Sequence, residues 1–233
     1  MERANERGAK CRCRTHRHLT ARIDRAMMQD SWQILRDNDK QLALCLLFAP
    51  RDNRRLLADI FCLANELENA VRIPSEIMLA AIRLEWWHDA LADKETPPEV
   101  PLMRALQAHI AAMRISRDDL LELVALWQTR INDSEVSPTF CFAGCWQLAA
   151  KVTCGEDFGD VATRIADQFA QNGTGTHRLK AGDLGTLKRG GGAARWLYLA
   201  GCLANRQADA ASGDEDPLLI WRLLFWRFGI GGG

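Results

Sequence analysis

Apolar residues recur along this chain every three or four positions, and no stretch keeps the strict alternation of a half-buried strand. The clearest case runs from Arg54 to Leu91. Leu56, Ile60, Leu63, Leu67 and Val71 share one side of a helix. Asp52 or Asn53 can cap its start, and Pro74, which has no N–H to donate, sets its end. A second helix is expected to follow, with Ser75 as its N-cap and Glu76 in the first turn, where the positive helix end favours an acid. Ile77, Ala81, Leu84 and Leu91 are expected to form its buried face. Of Trp86 and Trp87, one ring should lie inside and the other toward the edge.

The same spacing predicts a helix from Ser31 to Phe48, ended by Pro50, and a helix opened by Pro101 with Leu102, Leu106, Ile110 and Met113 inward. Ser116 caps the next, with Asp119 in the position of the capping-box acid. Ser137-Pro138 repeats the cap-then-proline signal ahead of Phe140–Val152, and later helices are expected near 158–172, at Ala193–Asn205 and at Pro217–Phe228. The weakest stretch for a helix is Asn172–Gly192, which holds seven glycines. It reads as a flexible loop or as a glycine-rich cradle for an anion beside Lys188 and Arg189. Gly191 and Gly192 stand where a P-loop needs Lys and Ser/Thr. The fold class is therefore all-α, a single-domain bundle of eight or nine helices over residues 28–233.

Composition fits one globular domain: 233 residues, 48% hydrophobic, 26% charged and no net charge. The balanced charge argues against nucleic acid as a partner. No apolar run approaches the roughly 20 residues of a membrane span, and the N-terminus lacks the apolar core of a secretory signal. Residues 1–27 read as a separate, basic and disordered tail, since eight Lys/Arg stand against three Asp/Glu before Met27. Met27 and Met28 are alternative starts, and the arginine-rich composition also resembles a mitochondrial import leader. Within the tail, Cys11, Cys13, His16 and His18 are a weak zinc candidate, because structural sites separate their ligand pairs by a longer loop. Six of the eight cysteines (Cys45, Cys62, Cys141, Cys145, Cys154 and Cys202) fall in apolar helical stretches. There a free cysteine acts as a small hydrophobe, which points to a reducing, cytoplasmic or matrix-like compartment. His88 and His109 each stand alone and read as packing or surface residues.

Several of these residues carry a resemblance. Ala49-Pro50, Arg54-Arg55, the acidic cluster Glu66–Asn69 and Arg83-Leu84-Glu85-Trp86-Trp87-His88-Asp89-Ala90-Leu91 resemble the squalene/phytoene synthase family. The likeness is good over Leu44–Ile131, weak over Ser137–Leu199 and absent before Met27. It implies an isoprenoid (terpenoid) synthase fold around a greasy cavity. It also implies two facing helices with aspartates four residues apart, holding Mg²⁺ that grips prenyl diphosphates. Residue by residue, the substrate or metal region falls on Arg54, Glu68, Arg72, Asp167 and Gln171. Glu68 stands at the first acidic position and Arg72 at the second carboxylate, where a cation competes with the metal. Asp167 has only Gln171 four residues on; Glu156 and Asp160 share the spacing but sit where acids open helices.

The phrase Asn65-Glu66-Leu67-Glu68, then Pro74-Ser75-Glu76 and Arg83-Leu84-Glu85-Trp86-Trp87, is most similar to one branch of that family. The branch comprises assembly factors of mitochondrial respiratory complex I and bacterial relatives, which keep the fold and lose the aspartate motifs. The resemblance thus implies a degenerate, non-catalytic protein acting in assembly or lipid binding near a membrane. Its partners would be an isoprenoid or other lipid, a membrane surface or a membrane-protein complex. The alternatives are an active Mg²⁺-dependent prenyl transferase coupling two prenyl diphosphates, and a soluble lipid carrier. The C-terminal run from Pro217 to Gly229 is too short to cross a bilayer. It reads either as a helix docked in the core or as an interfacial helix with Trp221 and Trp226 partly exposed.

Overall fold

In the computed structural model, which describes residues 31–93, 100–133, 135–170, 179–209 and 219–227, the periodic stretches become helices and no strand occurs among the described residues. Residues 31–38 form α1 and Lys40–Leu46 form α2. The single helix expected from Ser31 to Phe48 breaks at Asp39, whose side chain leaves the helix to accept the Leu42 N–H at 2.8 Å and start α2.

Helix α3 runs from Arg51 to Arg72 and α4 from Ile77 to Ala92. The caps expected from Asp52, Asn53 and Ser75 do not form. Pro50 and Glu76 stand at the two N-cap positions, and neither helix has a side-chain cap. Asn53 instead accepts from the Arg114 guanidinium at 3.2 Å. The predicted face of α3 holds, with Leu56, Ile60, Leu63 and Leu67 buried. That of α4 turns by one residue: Ala80, Leu84, Trp87 and Leu91 are buried, while Ile77 and Ala81 face solvent.

Next come α5 (Pro101–Ala111) and α6 (Arg117–Asn132), the latter capped by Ser116, whose hydroxyl accepts from Asp118 N–H at 3.1 Å. Then α7 (Pro138–Cys154) is capped by Ser137. A short 3-10 turn, Glu156–Phe158, leads into α8 (Gly159–Ala170). Helix α7 is the centre of the bundle and packs on α3, α6, α8 and α10. Its closeness to α6 depends on Gly144, where a Cβ would lie 2.2 Å from Leu126 Cδ1.

Helices α9 (Ala181–Arg189), α10 (Gly191–Asp209) and α11 (Leu219–Arg227) complete the described chain. A helix therefore forms inside the glycine-rich stretch expected to be a loop. Two local features outweigh the glycines. The Asp183 carboxylate accepts the Lys180 N–H at 3.2 Å, and Leu184 and Leu187 are buried. The bundle exceeds the expected eight or nine helices because of this helix and the break at Asp39. The head of the chain, residues 1–27 with Cys11, Cys13, His16 and His18, lies outside the described residues.

Candidate functional site

Glu68 sits on the α3 face turned to α6. Burying a carboxylate there requires a partner, and α6 provides two. Arg130 makes a close ion pair with Glu68 Oε2, and Trp127 Nε1 donates to the same oxygen at 3.1 Å. Trp127 is fully buried, so its indole N–H has no water to turn to. Cys141 on α7 lies beside this pair. Burial pushes its thiol up to about 11, with Arg130 pulling it down and Glu68 pushing it up. Arg72 points outward and donates to Asn69 Oδ1 at 3.3 Å. The ion pair in which Glu68 takes part is thus with Arg130 across the α3–α6 interface.

The other candidates do not converge on it. Arg54 donates from Nε to the Ala49 carbonyl at 2.9 Å, tying the chain entering α3 to its first turn. Arg54 and Glu68 stand about 21 Å apart along the axis of α3 at 1.5 Å per residue. Asp167 is half-buried on α8, and Gln171 lies outside the described residues. Between α3 and α8 the interior is occupied by rings. Trp146 of α7 packs against Phe61 of α3 at 5.3 Å and against Phe169 of α8 at 5.1 Å, and it stacks on Trp196 of α10 at 5.8 Å. Through these rings α7 joins α3, α8 and α10.

Two clefts open elsewhere on the described surface. One, of about 350 Å³, is lined by Asp119, Glu122, Gln147, Lys151 and Glu156. Its lysine bridges Asp119 at 3.1 Å and Glu156 at 3.6 Å, and the hydrogen bond and charge of Asp119 hold that ammonium above its ordinary pKa. The other, of about 280 Å³, lies between α3 and α4 and is lined by Glu66, Asn69, Ile73, Arg83, Trp86 and Trp87. Neither is lined by Glu68 or Asp167.

Three features had weaker signals in the sequence. Asp59 and His109 are buried and joined by a contact of 2.8 Å between Asp59 Oδ2 and His109 Nε2, with Arg55 Nε 3.8 Å from the same oxygen. The signal was a lone acid inside the apolar run Leu56–Ala64. Glu85, His88 and Asp89 bring ligand atoms within 4.8 Å of one another on α4, but they are solvated and Glu85 already accepts from Gln128 at 3.2 Å. The glycine-rich run offers no cradle at Gly190. There Phe158 packs so closely that a Cβ would lie 2.7 Å from its ring.

A helical bundle with Arg-Arg at the head of α3 and the Trp-Trp pair on α4 defines the class: it has the all-α isoprenoid synthase fold. The squalene/phytoene synthase model matches residues 35–140, from α1 to the start of α7, and over that stretch the chain is similar to the squalene/phytoene synthase family. The substrates of that family are prenyl diphosphates. No curated protein and no solved structure matches the chain. At the first metal motif that the resemblance implies, Glu68 and Arg72 do not fit Mg²⁺. A divalent ion on oxygen ligands needs free carboxylates, whereas Glu68 is held by a guanidinium and an indole and Arg72 replaces its expected partner.

Proposed function

We propose that this protein is a degenerate member of the squalene/phytoene synthase family that no longer couples prenyl diphosphates. It acts by binding or assembly near a membrane, in the manner of the branch related to complex I assembly factors. The observation that carries the reading is the Arg130–Glu68–Trp127 arrangement, which takes the acid at the first expected metal motif out of reach of a cation. The rings of Phe61, Trp146 and Phe169 support it, since they occupy the interior that two prenyl chains would need. An exposed apolar face on α11 supports the membrane part. Ile220, Trp221 and Phe225 point outward next to Arg227, the pairing that favours a headgroup layer. A lipid or a membrane-protein complex is then the partner, with the protein peripheral in a cytoplasmic or matrix-like compartment.

The test is direct. Purified protein with Mg²⁺ and farnesyl or geranylgeranyl diphosphate is expected to give no coupled C30 or C40 product. Time-dependent product that disappears in a Glu68→Ala variant would restore the active prenyl transferase as the correct reading.

A further inference from the structure

Helix α4 presents an apolar stripe that nothing among the described residues covers. Met78 is 73% exposed, Leu79 47%, Ile82 59% and Trp86 46%. At 100° per residue these four lie within about 60° of Ile82, opposite the buried Ala80, Leu84 and Leu91. Together they expose on the order of 500 Å², at the upper end of the ~300–600 Å² of the largest patch on an ordinary monomer. Alongside runs the cleft of about 280 Å³ between α3 and α4, with Trp86 on its rim.

The charges around the stripe select the occupant. Glu85 and Asp89 flank its C-terminal half, and Glu76 and Arg83 lie to the sides. This acidic rim is the reverse of the Lys/Arg border that holds an apolar face on anionic lipid. A protein surface with the same stripe fits better, and the stripe fits itself. A twofold axis through Ile82 sets each copy's Met78 against the other's Trp86, the sulfur–aromatic contact that methionine favours. Each Met78 then reaches the cleft beside the opposing Trp86.

The same axis sets each Asp89 opposite Ser75, at the N-terminus of the other α4. That end carries the positive pole of the helix and has no side-chain cap. Glu76 lies about 120° around from Ile82, off this face. Antiparallel pairing also keeps the two acidic halves apart, whereas parallel pairing would bring them together. Two such stripes bury on the order of 1,000 Å², the size at which a biological interface becomes plausible.

We infer that the protein forms a homodimer through antiparallel α4 helices crossing at Ile82. Sedimentation of the full chain over a concentration series is expected to show a reversible dimer. Ile82→Glu, which sits twice at the centre of the interface, should weaken it at least about tenfold while helical circular dichroism and melting stay unchanged. Met78→Ser serves as a milder second variant should Ile82→Glu not fold. An Ile82→Cys variant under mild oxidation should cross-link at position 82 to the same position of the other copy, as read by peptide mass. A protein monomeric at every concentration overturns the inference, and so does a dimer indifferent to both Ile82→Glu and Met78→Ser. Binding to anionic vesicles that Ile82→Glu abolishes would assign this face to lipid and likewise overturn it.

Discussion

Replacing Arg130 with alanine leaves Glu68 with Trp127 Nε1 as the partner described for it. Losing one member of a deeply buried pair costs roughly 3–5 kcal/mol. These side chains keep 17% and 16% of their exposure, so water screens part of the charge. The expected loss is therefore about 2 kcal/mol, read from urea denaturation. The double variant Glu68→Leu/Arg130→Met removes both charges and should recover more than half of it. A double variant as unstable as Arg130→Ala would show that the pair itself, and not the orphaned carboxylate, sets the cost. The resemblance draws attention to Glu68 and Arg72 in the sequence but does not reveal the true partner of Glu68. That partner stands 62 residues away, and packing of α3 on α6 selects it. Asp59 and His109, 50 residues apart, were unreadable as a pair for the same reason. A polar residue on an apolar face announces that it needs a partner without saying which.

Helix α11 separates two tryptophans that a helical run of apolar residues leaves equivalent. Trp226 is buried with Leu219 and Leu223, while Trp221 is 61% exposed. Trp226→Ala should cost about 3 kcal/mol, the low end for a buried tryptophan because the helix is short. Trp221→Ser should stay within about 0.5 kcal/mol of the parent in chemical denaturation. Flotation with anionic vesicles should fall in Trp221→Ser with the fold intact; flotation equal to the parent would remove α11 from any membrane contact. The expectation that both rings would be partly exposed is thus half met. Helix existence was legible almost throughout, because three- and four-residue periodicity survives in α3, α5, α6 and α7. Faces and ends were less so. On α4 large apolar residues occur all round the helix, so the pattern does not say which side is in, and the cap expected from Ser75 gives way to Glu76. At Asp39 and at α9, local hydrogen bonds decided what composition could not.

Across the whole molecule, the thiols make stability depend on alkali. All six described cysteines are free, and five are buried. Burial pushes Cys62 up to about 12, and Cys141 and Cys202 up to about 11. In the unfolded chain a thiol ionises near about 8.5. The folded state therefore holds more protons than the unfolded one between roughly pH 9 and 12, and stability falls with rising pH across that window. It is unaffected by these groups below about pH 8. Denaturation under reducing conditions should show this decline. It should be shallower in Cys62→Ala than in the parent, once the lower starting stability is subtracted. Equal slopes would remove the thiol from the account.

The stacked rings at the centre have an optical consequence. Trp146 and Trp196 lie 5.8 Å apart with planes inclined by 27°, and Phe61 packs on both. Indoles so close share their electronic excitations. The far-ultraviolet dichroism of this protein should then carry an aromatic couplet on top of the helical bands, and ellipticity alone will misstate its helix content. The same coupling vanishes when the rings part, which makes it a built-in reporter of whether α7 and α10 remain together.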